Sequence, residues 1–84
     1  MPKVEVFCTP SCPYCIRAKS LLERKNVEYE DIRVDQKPER HDEMIRRSKR
    51  TSVPQIFIDG DHIGGCDDLF ALEAEGTLDS RLGL

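Results

Sequence analysis

Cys12 and Cys15 are separated only by Pro13 and Tyr14. Two thiols at that spacing can close a small disulfide ring and reopen it by exchange with another thiol. An apolar strand pattern ends just before them, and a helical pattern begins with them. Cys12 therefore falls at a helix N-terminus, where unpaired N–H groups carry the positive end of the macrodipole. A thiolate in that place is favoured over a thiol, as is common in Cys-X-X-Cys motifs. Cys15 lies one turn further along, nearer the core. These positions make Cys12 the exposed nucleophile and Cys15 the resolving thiol of a redox pair.

Other readings of the cysteines fare worse. A four-sulfur zinc site usually needs a second close pair. Only Cys8 and Cys66 remain, far apart in sequence, so no metal is expected. Cys8-X3-Cys12-X2-Cys15 also has the cysteine spacing of a radical-SAM cluster, but such enzymes need a far larger barrel than this chain supplies. Cys8 reads as a small, half-buried hydrophobe at a strand end, with a regulatory disulfide to Cys12 or another chain as the sharper reading. Cys66 reads as a packed thiol, with slow oxidation to a dimer as the alternative.

Two further segments carry chemistry. A proline just before a strand, as in Ser52-Val53-Pro54, can simply mark its first residue. Opposite a thiol pair it reads as a cis-proline loop, whose Val53 N–H and C=O pair with an extended substrate. In Gly64-Gly65-Cys66-Asp67-Asp68 the glycines permit close backbone approach. Capping explains one aspartate, and leaves the other for an ammonium group. Helix-start amides at the same place suit a carboxylate. A ligand with both groups on one carbon, an amino-acid terminus, fits that pairing.

The elements that must position these groups follow from periodicity. Lys3–Cys8 is a strand, and Thr9-Pro10-Ser11 a loop. A helix starts at Pro13, with Cys15, Ala18, Leu21 and Leu22 on its apolar face. It stops at Lys25-Asn26. Residues 27–34 alternate as a second strand, centred on Tyr29–Arg33. A second helix spans Lys37–Ser48. Gln55–Ile58 and His62-Ile63 are strands joined by the Asp59-Gly60 turn. Cys66–Glu75 is a third helix with Gly76 as its C-cap, and Leu78–Leu82 a last half-turn. The order is β-α-β-α-β-β-α. It implies a right-handed parallel β-α-β unit, an antiparallel hairpin, and helices on both faces of a mixed sheet.

A chain of 84 residues is expected to form one domain over 1–84. Charged residues are 35% and the net charge is −3, which argues against a nucleic-acid partner. No apolar run approaches the length of a membrane span. The first residues lack a signal-peptide pattern, so a cytoplasmic, reducing location is expected.

The three signals in this order resemble the glutaredoxin family across essentially the whole chain. Cys12-Pro13-Tyr14-Cys15 is similar to its dithiol active site. Ser52-Val53-Pro54 is similar to its Thr-Val-Pro loop, and Gly64–Asp68 to its Gly-Gly-Cys-Asp segment. The stretch Val53–Asp59 followed by His62–Gly65 is similar to the bacterial glutaredoxin 3 type. The resemblance implies a thioredoxin-like α/β fold, with a four-stranded mixed sheet in the order 2-1-3-4 and three flanking helices. It implies a monomer, with glutathione as reductant and co-substrate, acting on protein–glutathione mixed disulfides and protein disulfides. Ribonucleotide reductase is among the candidate partners. Tyr14, Ser52, Val53, Pro54, Gly65, Cys66, Asp67 and Asp68 would then hold glutathione. Cluster-carrying relatives usually lack the second cysteine or the proline, and thioredoxins typically carry Cys-Gly-Pro-Cys. Pro13-Tyr14 therefore favours glutathione chemistry.

Three positions depart from the family pattern. Thr9 stands where many members have Lys, and His41 where many have Gln or Arg. Both positions recognise the glycyl carboxylate of glutathione, with Arg40 or Lys37 as candidate substitutes here. Lys49 stands where relatives often have a helix-ending Gly. The run Arg46–Arg50 is read as a helix C-terminus complementing the macrodipole rather than a nucleic-acid patch. His41 and His62 show no partner for acid–base work.

Overall fold

The computed structural model describes residues 2–84. Strand β1 (Val4–Cys8) leads into helix α1 (Pro13–Arg24), β2 (Glu30–Arg33) and α2 (Pro38–Ser48). The hairpin β3 (Gln55–Ile58) and β4 (Asp61–Gly64) follows, then α3 (Cys66–Glu75) and the one-turn α4 (Leu78–Arg81). The strands form one sheet in the order β2-β1-β3-β4. β1 runs parallel to β2, with Phe7 opposite Ile32, and antiparallel to β3, with Val6 opposite Ile56. β3 and β4 are antiparallel, with a register shift between Ile56 and Phe57.

Side chains alternate across β1, and the alternation divides the core. Val4, Val6 and Cys8 join Ile56 and Ile58 on one face, under Cys15, Ala18, Leu21 and Leu22 of α1, Leu69 of α3 and Leu78 of α4. Phe7 and Phe57 point to the other face, where Ile32, Val34 and Met44 of α2 meet them. The two phenyl rings pack edge-on, 5.6 Å between centroids. This α2 face also takes in charge. Glu5 is only 4% exposed. Arg47 Nη2 and Nη1 donate to its two oxygens at 2.9 and 3.2 Å.

The structure trims several expected boundaries. β1 starts at Val4, because Lys3 pairs with the hairpin turn instead. Its N–H donates to Asp59 Oδ1 and its C=O accepts from Asp59 N–H, both at 2.8 Å. β2 is shorter than residues 27–34: its ladder with β1 runs from Glu30 to Arg33, and beyond it only the Val34 N–H reaches β1, donating to Cys8 O at 3.1 Å. Val27 is buried all the same, against the core beneath α1. β4 gains Asp61 and Gly64. The expected half-turn after Gly76 is a fourth short helix, held down by the buried Leu78 and Leu82. Lys49 ends α2 in the left-handed region at φ 62°. A side chain there costs about 1 kcal/mol relative to glycine. No helix among the described residues is long and apolar enough to cross a membrane.

Candidate active site

β1 and the turn after it deliver Cys12 to the N-cap of α1, in extended backbone at φ −89°. Pro13 follows at the first helical position, where its missing N–H goes unnoticed. The Cys15 N–H donates to Cys12 Sγ at 3.3 Å. An orphan helix-start donor therefore points at the nucleophile and steadies negative charge on it. The Cys12 thiol also lies 3.7 Å from Val53 O. The proline loop thus faces the thiol pair, and its Val53–Pro54 bond is cis. All four cysteines are free thiols.

Cys15 is 1% exposed. Burial pushes its thiol up to about 12, against a backbone hydrogen bond from Thr9. Beside it Tyr14 is open to solvent. The two sulfurs therefore differ in access, although only two residues separate them.

Two cavities meet at Val53. One, of 280 Å³, is lined by Tyr14, Ser52, Val53, Pro54 and the segment Gly65–Asp68. It brings together the eight residues that the family resemblance implies for one ligand site. Arg50 and Gln55 also line it. The run Arg46–Arg50 reads in sequence as a helix C-terminus, but α2 ends at Ser48 and Arg50 lies beyond it, paired with Asp68. Gln55 is 1% exposed yet polar. Its Nε2 donates to Ser52 O at 3.0 Å, and its Oε1 accepts from His62 Nε2 at 2.7 Å. The proline loop is thus tied to β4, and His62 has the partner that its sequence context does not reveal. Burial, then the nearby Arg50, lowers the His62 pKa.

The two aspartates of α3 differ in their engagement. Asp68 Oδ2 accepts from Gly65 N–H at 3.0 Å and from Arg50 Nη1 at 3.2 Å. These bonds hold its carboxyl below the usual range. A Cβ on Gly64, whose φ is +122°, would collide with that carboxylate, so glycine is required there. Asp67 is exposed at the cleft.

The second cavity, of 460 Å³, lies on the other side of Val53 and is lined in part by Thr9 and His41. Lys37 and Arg40 line neither cavity. Arg40 turns towards the sheet instead. It pairs with Glu43 at 2.9 Å and Glu30 at 3.7 Å, and lies over the Phe7 ring. Cys8 is wholly buried rather than half-buried. Its Sγ–H donates to Asp31 Oδ1 at 2.8 Å, and burial with that carboxylate raises its pKa to about 11. Cys66 is buried too, which pushes its thiol up. Among the described residues no group of three or more His, Cys, Asp or Glu side chains is arranged to hold a metal ion.

A nucleophilic thiol at a helix start, a buried partner one turn on and a facing cis-proline loop, on this sheet order, define a thioredoxin-like thiol–disulfide oxidoreductase. The comparisons narrow the class. The glutaredoxin family model matches residues 4–63. Glutaredoxin 3 of Escherichia coli is 54% identical over 82 residues, covering 98% of this chain and 99% of that protein. A glutaredoxin of Pseudomonas aeruginosa is 54% identical over 98% of both chains. Among solved structures, a buckwheat glutaredoxin–glutathione complex superposes with a TM-score of 0.90 at 30% identity, over 98% of this chain and 77% of that one. A Brucella melitensis glutaredoxin gives 0.85 at 54% identity, over 98% and 89%. The chain belongs to the glutaredoxin family.

Proposed function

We propose that this protein is a glutathione-dependent oxidoreductase that reduces protein–glutathione mixed disulfides and protein disulfides. The observation that carries the reading is the setting of Cys12. Its sulfur sits at a helix start, opposite the Val53 carbonyl, beside a cleft with an open carboxylate and helix-start amides. The α-amino acid end of glutathione matches that cleft, its ammonium towards Asp67 and its carboxylate towards the α3 N-terminus. Val53, with its N–H and C=O, would hold the peptide as an added strand. Tyr14, Ser52, Pro54, Gly65, Cys66 and Asp68 complete the wall.

The Cys12 thiolate attacks the glutathione sulfur of a mixed disulfide. The old S–S bond breaks, the protein thiol leaves with its electron pair and takes up a proton, and Cys12 becomes glutathionylated. A free glutathione thiolate then attacks that adduct, releasing glutathione disulfide and the Cys12 thiolate. With a protein disulfide, the Cys12 thiolate attacks one protein sulfur, the S–S bond breaks, and the other sulfur leaves with the electron pair and takes up a proton. Cys15, once deprotonated, attacks Cys12 and expels the protein thiol, leaving a Cys12–Cys15 disulfide. Two glutathiones reduce it and depart as one disulfide.

The test is turnover of a small mixed disulfide with glutathione and glutathione reductase. Wild type is expected to turn over, and Cys12→Ser to be inactive. Cys15→Ser is expected to keep this activity but lose reduction of a protein disulfide. A silent wild type, or an active Cys12→Ser, would overturn the reading.

A further inference from the structure

We infer that the 460 Å³ cavity makes this protein favour a γ-glutamyl thiol peptide whose C-terminal end carries no negative charge, over glutathione itself. The inference rests on the reading above and adds a substrate preference to it. In glutathione the thiol lies between two ends. If the amino-acid end enters the cleft by Asp67 and the sulfur meets Cys12, the glycyl carboxylate is carried past Val53. There it meets the second cavity, which shares Val53 with the first.

That cavity offers an anion little. Asp35 and Asp42 line it, with Thr9, Thr51 and the His41 ring. No Lys or Arg does. The Asp35 carboxylate is answered by Arg33, whose Nε and Nη2 donate to it at 2.9 and 2.8 Å. None of the ion pairs among the described residues involves Asp42. The helix start at α2 compensates little, since its first turn leaves only the Glu39 N–H without a backbone acceptor. Pro38 has no N–H, and the Arg40 and His41 N–H groups donate to Lys37 O at 2.9 and 3.1 Å. A glycyl carboxylate would therefore face an unanswered aspartate. An amide would escape that repulsion and hydrogen-bond to the threonine hydroxyls. A cationic extension would gain an ion pair with Asp42.

The experiment uses Cys15→Ser, so that the Cys12 adduct accumulates. The protein is mixed at about pH 8, above the ordinary titration of imidazole, with one of three symmetric disulfides. These are glutathione disulfide, the disulfide of glutathione C-terminal amide, and that of glutathione amidated with a diamine. Cys12 attacks one sulfur, one thiol leaves, and quenched samples are weighed by mass spectrometry. The amide is expected to react roughly two- to fivefold faster than glutathione, the span of one exposed charge contact. The diamine conjugate should be at least as fast as the amide. The preference should shrink in high salt and reverse in Asp42→Lys. Glutathione disulfide reacting as fast as the amide, or faster, would overturn the inference while leaving the proposed function intact. No adduct from any of the three would instead defeat the proposed function.

Discussion

Leu22 on the thiol face and Arg47 on the α2 face both close the layer over the sheet, by different physics. Leu22 is wholly buried among aliphatic neighbours from β1, β3, α1 and α3. Its contribution is non-directional and scales with the surface it hides. The α2 face has five buried apolar residues, and guanidinium groups complete it. Arg47 lies 4.2 Å above the Phe57 ring and 5.7 Å from the Phe7 ring. It also holds Glu5 and, at 2.8 Å, Glu43. A buried carboxylate of this kind is tolerable only while its partner stays. One face can lose a side chain and keep its logic; the other is conditional.

The largest effect should come from Leu22→Ala, which is expected to cost about 2–5 kcal/mol through lost burial and the cavity left behind. Urea unfolding should show a lower midpoint with an unchanged slope. Arg47→Ala should cost about 2 kcal/mol, reduced from the fully buried case because Arg47 is partly exposed. Its signature is rescue. Glu5→Gln added to Arg47→Ala should recover part of the loss, since the stranded charge is gone. Absence of any recovery would break the contrast between the faces. Acid sharpens the same point. The Arg47 hydrogen bond, opposed by burial, holds Glu5 below its ordinary 4.5. A carboxylate depressed in the folded state adds stability that is present above that value and is lost as pH falls through the folded one. Wild type should therefore lose more stability below about pH 4.5 than Glu5→Gln does. The smallest change is Lys49→Gly, expected to add up to about 1 kcal/mol by relieving the left-handed end of α2.

The sequence was most legible where periodicity and chemistry coincide. β3 and α3 begin and end where the pattern says, because Gly60, Gly64 and Gly76 punctuate them. Cys12, Val53 and the Gly65–Asp68 segment converge as expected, since each signal marks a helix or strand end around one sulfur. What could not be read was charge at depth. Glu5 alternates with Val4 and Val6 like any outward residue, and nothing local says that Arg47, 42 positions on, covers it. Gln55 opens an apolar strand, yet its role depends on Ser52 and His62 arriving together. The same holds for Arg40, whose guanidinium pairs with Glu43.

The burial of Cys8, Cys15 and Cys66 has a practical consequence. A thiol-selective label applied to the folded protein should count one sulfur, that of Cys12. Each of the other three reports when its part of the aliphatic layer opens, with Cys8 at a strand end, Cys15 inside α1 and Cys66 at the start of α3. The rate of second, third and fourth labelling then times three separate openings of the same face. The molecule carries its own stopwatch for that layer, and the charged face across the sheet keeps none.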